Sequence, residues 1–347
     1  MPPGHADGPP LIDERAALWA AALVAPTRRA DPRAVAALRA DVTADLPGID
    51  MAARAWTQLG ADLAPVRARV VGRSGWVQAN LSSLRGAFEP LRSRLEKRRA
   101  IASRVLGVQL GSVLGLLSAK VLGQYVLPLG GPGGGQLLVV GPNVLDLADE
   151  HGPLAADIRR TVVLHEVTHR LQFEATPWLG DHLRDLLDRY LSNTKVDAAA
   201  LVEAAPRLPE AVAAVRETGD IQLLLRTVLS PEQAAIIEEA QGLMSLLEGH
   251  GNATMYGAAT DELIHDPEGV REALASRRND VTSKVLTAVA GMEMKRRQYR
   301  EGETFVREVL DLAGAPGLNR AFEKPEHLPS ADEVGDPAGW LARVSTG

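Results

Sequence analysis

The peptide H-E-V-T-H at residues 165–169 places the strongest constraint on this chain, because the pattern around it, residues 157–174, predicts one helix. On a helix, residues four apart lie on the same face, so His165 and His169 can point both imidazoles at one small ion. Glu166 lies beside the first histidine, where its carboxylate can reach a water bound to that ion. This HExxH arrangement predicts two zinc ligands and a general base.

The residues that flank the motif favour a semi-buried helix over a solvated face that carries these side chains by chance. Val162-Val163-Leu164 precede the motif, and Leu171 and Phe173 follow it. Arg170 is a departure, since helices of this kind usually carry an uncharged residue there. The apolar flanks make a metal site the preferred interpretation.

A third protein ligand is expected, because catalytic zinc sites use three and leave a fourth position to water. Gln172 and Ala175 stand where the metzincin pattern would have its glycine and its third histidine. A glutamate from a later helix is the other common solution, and Glu248 is the best candidate. Alternatively, Glu248 is an ordinary surface glutamate without a role in metal binding.

His250 competes with Glu248 for the same role. Two residues apart on a helix, these side chains point about 200° apart, so only one can readily face the metal. His250 continues an apolar stripe, whereas Glu248 continues a polar face that leads to Asn252. We therefore predict Glu248 as the ligand, His250 as a core residue or a neighbour of the ligands, and Asn252 as a partner that orients a ligand histidine.

Composition limits the classes of function. The 347 residues are 46% apolar with a net charge of −6, which gives no reason to expect a nucleic acid or an anionic membrane as partner. The chain has no cysteine, which excludes disulfides, thiolate zinc sites and cysteine nucleophiles. Residues 1–10 lack the basic and apolar regions of a signal peptide, so we expect a disordered tail and a cytoplasmic protein.

The pattern of apolar residues and turn signals predicts a mainly α protein of the α+β class with one small sheet. Helices are predicted over residues 11–24, 31–46, 51–59, 76–87, 89–99, 105–122, 157–174, 178–191, 201–218, 221–229, 230–256, 267–277, 280–299 and 304–312. Strands are predicted over residues 66–70, 126–129 and 136–140, the last two as a hairpin. We expect a single domain over residues 11–347, with a helical part (11–100) and a metal-site part (101–347).

Three glycines recur every four residues in the apolar segment 105–122, at positions 107, 111 and 115. In a membrane this spacing would suggest closely paired helices. Polar residues bracket and interrupt the segment, and its apolar run is shorter than the roughly 18 residues of a span. A buried helix with a smooth packing face is therefore predicted, and no transmembrane segment.

Taken together, these motifs resemble the zincin-like metallopeptidase family common in actinobacteria. The matching segments are residues 165–173, Pro177-Trp178-Leu179 with His182, Gly123-Gln124-Tyr125, Pro142-Asn143, Leu247–His250, Lys295–Gly302 and Pro325–Pro329. Part of that family is named for a genomic association with coenzyme F-420 biosynthesis. The resemblance implies a zincin fold and a metal site. Asn252 departs from thermolysin-like enzymes, which usually have an aspartate at that position.

The predicted ligand set implies a zinc-dependent hydrolase, most simply a peptidase acting on a peptide or protein. Glu166 would take a proton from the zinc-bound water and pass it to the leaving amine. Tyr299, in a segment shared with the family, is a candidate to stabilise the oxyanion, although it could equally be a packing residue. The alternative is a zincin-fold binding or scaffold protein whose metal is structural or absent.

Overall fold

The computed structural model describes residues 12–25, 30–87, 99–127, 129, 135–192, 231–260, 262–275, 293–330 and 332–346. The strands are β1 (Ala68–Val71), β2 (Gly123–Val126) and β3 (Gln136–Val140). The helices are α1 (Glu14–Val24), α2 (Pro32–Thr57), α3 (Arg73–Ala87), α4 (Arg99–Ser118), α5 (Gly141–Glu150), α6 (Ala155–Glu174), α7 (Pro177–Ser192), α8 (Pro231–Gly257), α9 (267–275), α10 (Glu293–Asn319) and α11 (Pro337–Ser345). Helix predominates, which confirms the predicted fold class.

The sheet has the order β1-β3-β2, with β1 parallel and β2 antiparallel to the central strand β3. Leu138, Val139 and Val140 of β3 are fully buried, as expected of a strand with neighbours on both sides. The antiparallel pair agrees with the predicted hairpin, although its second strand pairs with residues 123–126 and most of the glycine-rich tip lies outside the described residues. One edge of β2 is therefore free of strand partners among the described residues.

The glycines of α4 form the face on which α1 packs. A β-carbon on Gly107 would lie 2.5 Å from the carbonyl oxygen of Asp13, and one on Gly111 would overlap the backbone of Ala17. The predicted smooth packing face is thus confirmed, but the helix is not fully buried as predicted, because Val108 and Leu116 are exposed. It also begins and ends earlier than predicted, at 99 and 118. Within the described ranges, no helix has the length and apolar character needed to cross a membrane.

Two predicted helices, 31–46 and 51–59, are one continuous helix, α2, so the predicted break is wrong. Proline inside a helix removes one hydrogen bond and crowds the preceding turn. The apolar stripe of α2 nevertheless runs across Pro47, from Leu38 through Leu46 to Ile49, and packs against α6. Burial of that stripe outweighs the local cost of the proline.

Other boundaries also differ from the prediction. Residues 141–150, expected to be a connection, form α5, which begins with a proline in its first turn. The described residues of the predicted helices 280–299 and 304–312 belong to α10, which is continuous as far as Gly314, where a φ of 64° breaks it; residues 280–292 lie outside the described part. The predicted tail 1–10 and the helices 89–99, 201–218 and 221–229 fall wholly or almost wholly outside the described residues.

Helix α6 is the centre of the molecule, in contact with α2, α8 and strand β2. Its residues Ile158, Leu164 and Leu171 are fully buried in the cluster shared with α2 and the sheet. The C-terminal segment is anchored by Trp340, whose fully buried indole packs edge to face against Phe305 of α10 and donates to the carbonyl of His327 at 2.8 Å. The central position of α6 brings several elements to the histidine motif.

Candidate metal centre

Helix α6 brings the two motif histidines together. The Nε2 atoms of His165 and His169 lie 3.0 Å apart, and the two rings meet edge to face. Two nitrogens at 2.0–2.1 Å from a tetrahedral zinc ion would be about 3.3 Å apart. One helical turn therefore supplies a nitrogen pair with nearly the spacing that this ion needs.

Helix α8 adds a carboxylate to this pair. The Glu248 carboxylate has one oxygen 3.6 Å from Nε2 of His165 and the other 3.9 Å from Nε2 of His169. Ligand atoms from the three residues all lie within 4.8 Å of one another. Each side chain is only partly exposed, between 14% and 23%. Two imidazoles and a carboxylate are a donor set that suits zinc and leaves a fourth position free of protein ligands.

Two glycines beside Glu248 let α8 approach its neighbours. A β-carbon on Gly251 would lie 2.8 Å from Cε1 of His165, so only glycine fits against that ring. A β-carbon on Gly249 would overlap the backbone of Gly302 in α10. Helix α8 can lie against His165 on one side and α10 on the other because it has no side chains at these two positions.

The carboxylate of Glu166 contacts strand β2 and lies close enough to His169 and Glu248 to feel their charges. One of its carboxylate oxygens accepts a hydrogen bond from the backbone N–H of Tyr125 at 2.8 Å. Burial raises the pKa of Glu166 to about 7, with a further increase from Glu248 that opposes the lowering by His169 and by the Tyr125 hydrogen bond. A carboxyl group that titrates near neutral pH is suited to take and return protons.

His250 lies behind the ligands, in the core. It is 1% exposed, and its ring stacks on Trp56 and packs against Phe322. Burial, with a smaller contribution from His169, lowers the pKa of His250 to about 3, so the ring is neutral. Its side chain contacts the amide of Gln172, at 3.1 Å from Nδ1.

Gln172 stands where the metzincin pattern has a glycine, and no functional role was predicted for it. It is fully buried, and its amide contacts Nδ1 of His169 at 2.8 Å and the carbonyl of Leu247 at 3.0 Å. Among the described residues, Gln172 contacts Nδ1 of His169, and Nδ1 of His165 has no hydrogen-bond partner, so the role expected of Asn252 stays a prediction. The spacing of the two residues could have predicted the contact between Gln172 and His169, since residues three apart on a helix are neighbours.

Arg170, the departure from the usual motif, has a structural role. Its guanidinium is buried, lies 2.8 Å from Glu174 and 3.6 Å from Asp50, and donates to the carbonyl of Ala64. Glu174 in turn accepts from the hydroxyl of Tyr125. These contacts tie α6 to α2 and to β2. Tyr299 lies in α10, but its side chain falls outside the described part of the chain.

Comparison with known proteins identifies the family. The model of the family described as zincin-like metallopeptidase matches residues 12–341. The chain belongs to this family. A crystal structure described as "a putative hydrolase with a novel fold", from Chloroflexus aurantiacus, is 28% identical with a TM-score of 0.69. The match covers 97% of this chain and 100% of that one. A search among curated proteins gave no match.

Proposed function

We propose that this zincin-like protein is a zinc-dependent peptidase in which His165, His169 and Glu248 hold the ion. The convergence of their three donor groups, within 4.8 Å, is the observation that carries the proposal. His165 and His169 come from one turn of α6, and Glu248 comes from α8, which packs against α6. The carboxylate also offsets part of the charge of the ion.

Glu166 is proposed as the group that moves protons. When bound, zinc would polarise the substrate carbonyl and lower the pKa of an attacking water. Glu166 would accept the proton of that water and deliver it to the leaving amine. Burial, which raises the pKa of this carboxyl, supports a role in proton transfer.

A peptide is the proposed substrate class because the outer edge of β2, which has no strand partner among the described residues, lies beside Glu166. The backbone of Tyr125 already contacts the carboxylate, and a β-carbon on Gly123 would lie 2.7 Å from Cγ of Glu166. An extended peptide could add to this edge as a further strand, which would bring its backbone close to the metal centre. The association with coenzyme F-420 biosynthesis stays a prediction from the family resemblance.

Elemental analysis and a peptide-library screen test the proposal together. We expect about one zinc per chain after dialysis, and cleavage of at least one library peptide that stops with a chelator and returns with added zinc. Zinc bound without any cleavage would favour the scaffold alternative. Absence of bound zinc in wild-type protein, at zinc concentrations that load other zincins, would overturn the metal site itself.

A further inference from the structure

The amide of Gln172 has only one orientation compatible with its three neighbours. The carbonyl oxygen of Leu247, 3.0 Å away, can only accept a hydrogen bond, so the amide nitrogen must face it. The other amide atom, which faces Nδ1 of His169 at 2.8 Å, is therefore the oxygen. Since this oxygen can only accept, Nδ1 of His169 must carry the hydrogen.

The tautomer of His169 follows from this orientation. A neutral imidazole with its hydrogen on Nδ1 has its lone pair on Nε2, which is the atom that faces His165 and Glu248. The second amide hydrogen of Gln172 points to Nδ1 of His250 at 3.1 Å. His250 must accept there and carry its own hydrogen on Nε2. One buried amide thus requires opposite tautomers in two histidines.

The same amide links the two helices that supply the candidate ligands. Gln172 is on α6, seven residues after His165, and Leu247 on α8 immediately precedes Glu248. Both amide hydrogens of Gln172 and its oxygen are engaged in these contacts. Buried polar groups in this state resist displacement, because a broken bond would leave an unpaired group in the core.

We propose that Gln172 is a positioning residue that holds His169 in its metal-binding tautomer and fixes the backbone of α8 beside Glu248. The proposal rests on the metal site of the proposed function, but its tautomer assignment does not require a bound ion. Partners of ligand histidines in known metalloproteins typically affect metal affinity by about 10- to 100-fold.

Zinc affinity, measured by competition with a chromophoric chelator, tests the positioning role. Gln172→Met removes the donor and the acceptor with little change in size, and we expect it to weaken zinc binding by about 10- to 100-fold. Thr168→Val is the matched control, since Thr168 is fully buried on the same helix and donates only to the carbonyl of Leu164. Its affinity should stay within about twofold of wild type.

Gln172→Glu separates the contact with His169 from the contact with the backbone of α8. A carboxylate can still accept from Nδ1 of His169 but cannot donate to Leu247, so we expect it to recover part of the affinity that Gln172→Met loses. Equal losses in Gln172→Met and Thr168→Val would assign the effect to general loosening of α6 and overturn the proposal. Wild-type affinity in Gln172→Met would also overturn it.

Nitrogen-15 NMR of histidine-labelled wild-type protein, without zinc, tests the tautomers even if the variants fail to fold. We expect the hydrogen of His169 on Nδ1 and that of His250 on Nε2. The opposite tautomer at His169 would overturn the proposal. If these tautomers are found but no peptide is cleaved, the proposed peptidase function fails while the positioning role of Gln172 stands.

Discussion

The carboxylate of Glu166 and the backbone N–H of Tyr125 are joined by a buried hydrogen bond of 2.8 Å. This bond connects the HExxH helix to the edge strand of the sheet. It holds the candidate proton-transfer group beside the surface on which we propose that an extended substrate lies. In the proposed function the edge strand would have two roles, since its Tyr125 N–H holds Glu166 and its remaining edge groups would pair with the substrate.

Glu166→Gln should abolish peptide hydrolysis while zinc remains bound. A glutamine keeps the shape and can still accept from Tyr125, but it cannot take up a proton at neutral pH. We expect kcat to fall by at least about 100-fold, in the range of a lost general base. The measurement pairs single-turnover hydrolysis of a library-selected peptide with zinc stoichiometry. Wild-type turnover by this variant would show that Glu166 is not the base.

Glu248→Ala and His250→Ala should differ sharply in zinc affinity. Removal of the carboxylate deletes one of three donors, and we expect a loss larger than the roughly 100-fold typical of groups that only support a ligand. His250 lies in the core behind the ligands, so its variant should retain zinc once folded. Circular dichroism first checks that both variants are folded, and metal analysis after identical dialysis then compares their zinc content. If Glu248→Ala retained zinc and His250→Ala lost it, His250 would be the ligand in place of Glu248.

Gly251→Ala should weaken zinc binding by about tenfold, because the new methyl group would press on the ring of His165. Gly180→Ala in α7 is the control, since a β-carbon there meets nothing within 4 Å. That control should leave zinc affinity unchanged and stabilise the helix by about 0.5–1 kcal/mol. Chelator competition and thermal unfolding of both variants check the pair. Unchanged affinity in Gly251→Ala would mean that His165 tolerates displacement.

Gly111→Ala should destabilise the fold without affecting the metal centre. Its methyl group would overlap the backbone of Ala17, so α1 must move away from α4. We expect a loss of about 1–3 kcal/mol in the free energy of unfolding, as for other overpacked positions. Urea unfolding monitored by circular dichroism measures it, with Gly180→Ala again as reference. A variant as stable as wild type would contradict the close packing of these helices.

Asp157→Asn should reduce stability at neutral pH but have little effect in acid. Burial acts to raise the pKa of Asp157, but hydrogen bonds from the backbone N–H of Asp266 and from His265 outweigh it and leave the pKa below its usual 3.8. The ionised carboxylate therefore stabilises the fold above about pH 4, and this contribution is lost as the pH falls through the lowered pKa. Urea unfolding of both proteins at several values between pH 7 and pH 3 should show a difference that shrinks in acid. A difference in the free energy of unfolding that stays constant with pH would contradict a stabilising role for the ionised Asp157.

Several features of the molecule follow from local pattern alone. The 3.6-residue period of a helix is enough to bring His165 and His169 to one face. The four-residue spacing of glycines in α4 likewise predicts a smooth packing face, and the structure shows which helix covers it. Turn chemistry between two apolar runs predicts the antiparallel partner of β3, although the bounds of that strand were displaced by several residues.

Features with a local cause could be predicted from the order of residues: the histidine face, the glycine face and the mainly helical class. The tertiary structure decided which distant groups meet that histidine face. Glu248 lies in a helix far along the chain, and its approach depends on two glycines that fit against α10 and His165. The importance of Gln172 is likewise visible only when Leu247 and His250 lie within reach of its amide. Such contacts depend on how whole helices pack, which residue spacing within one helix does not specify.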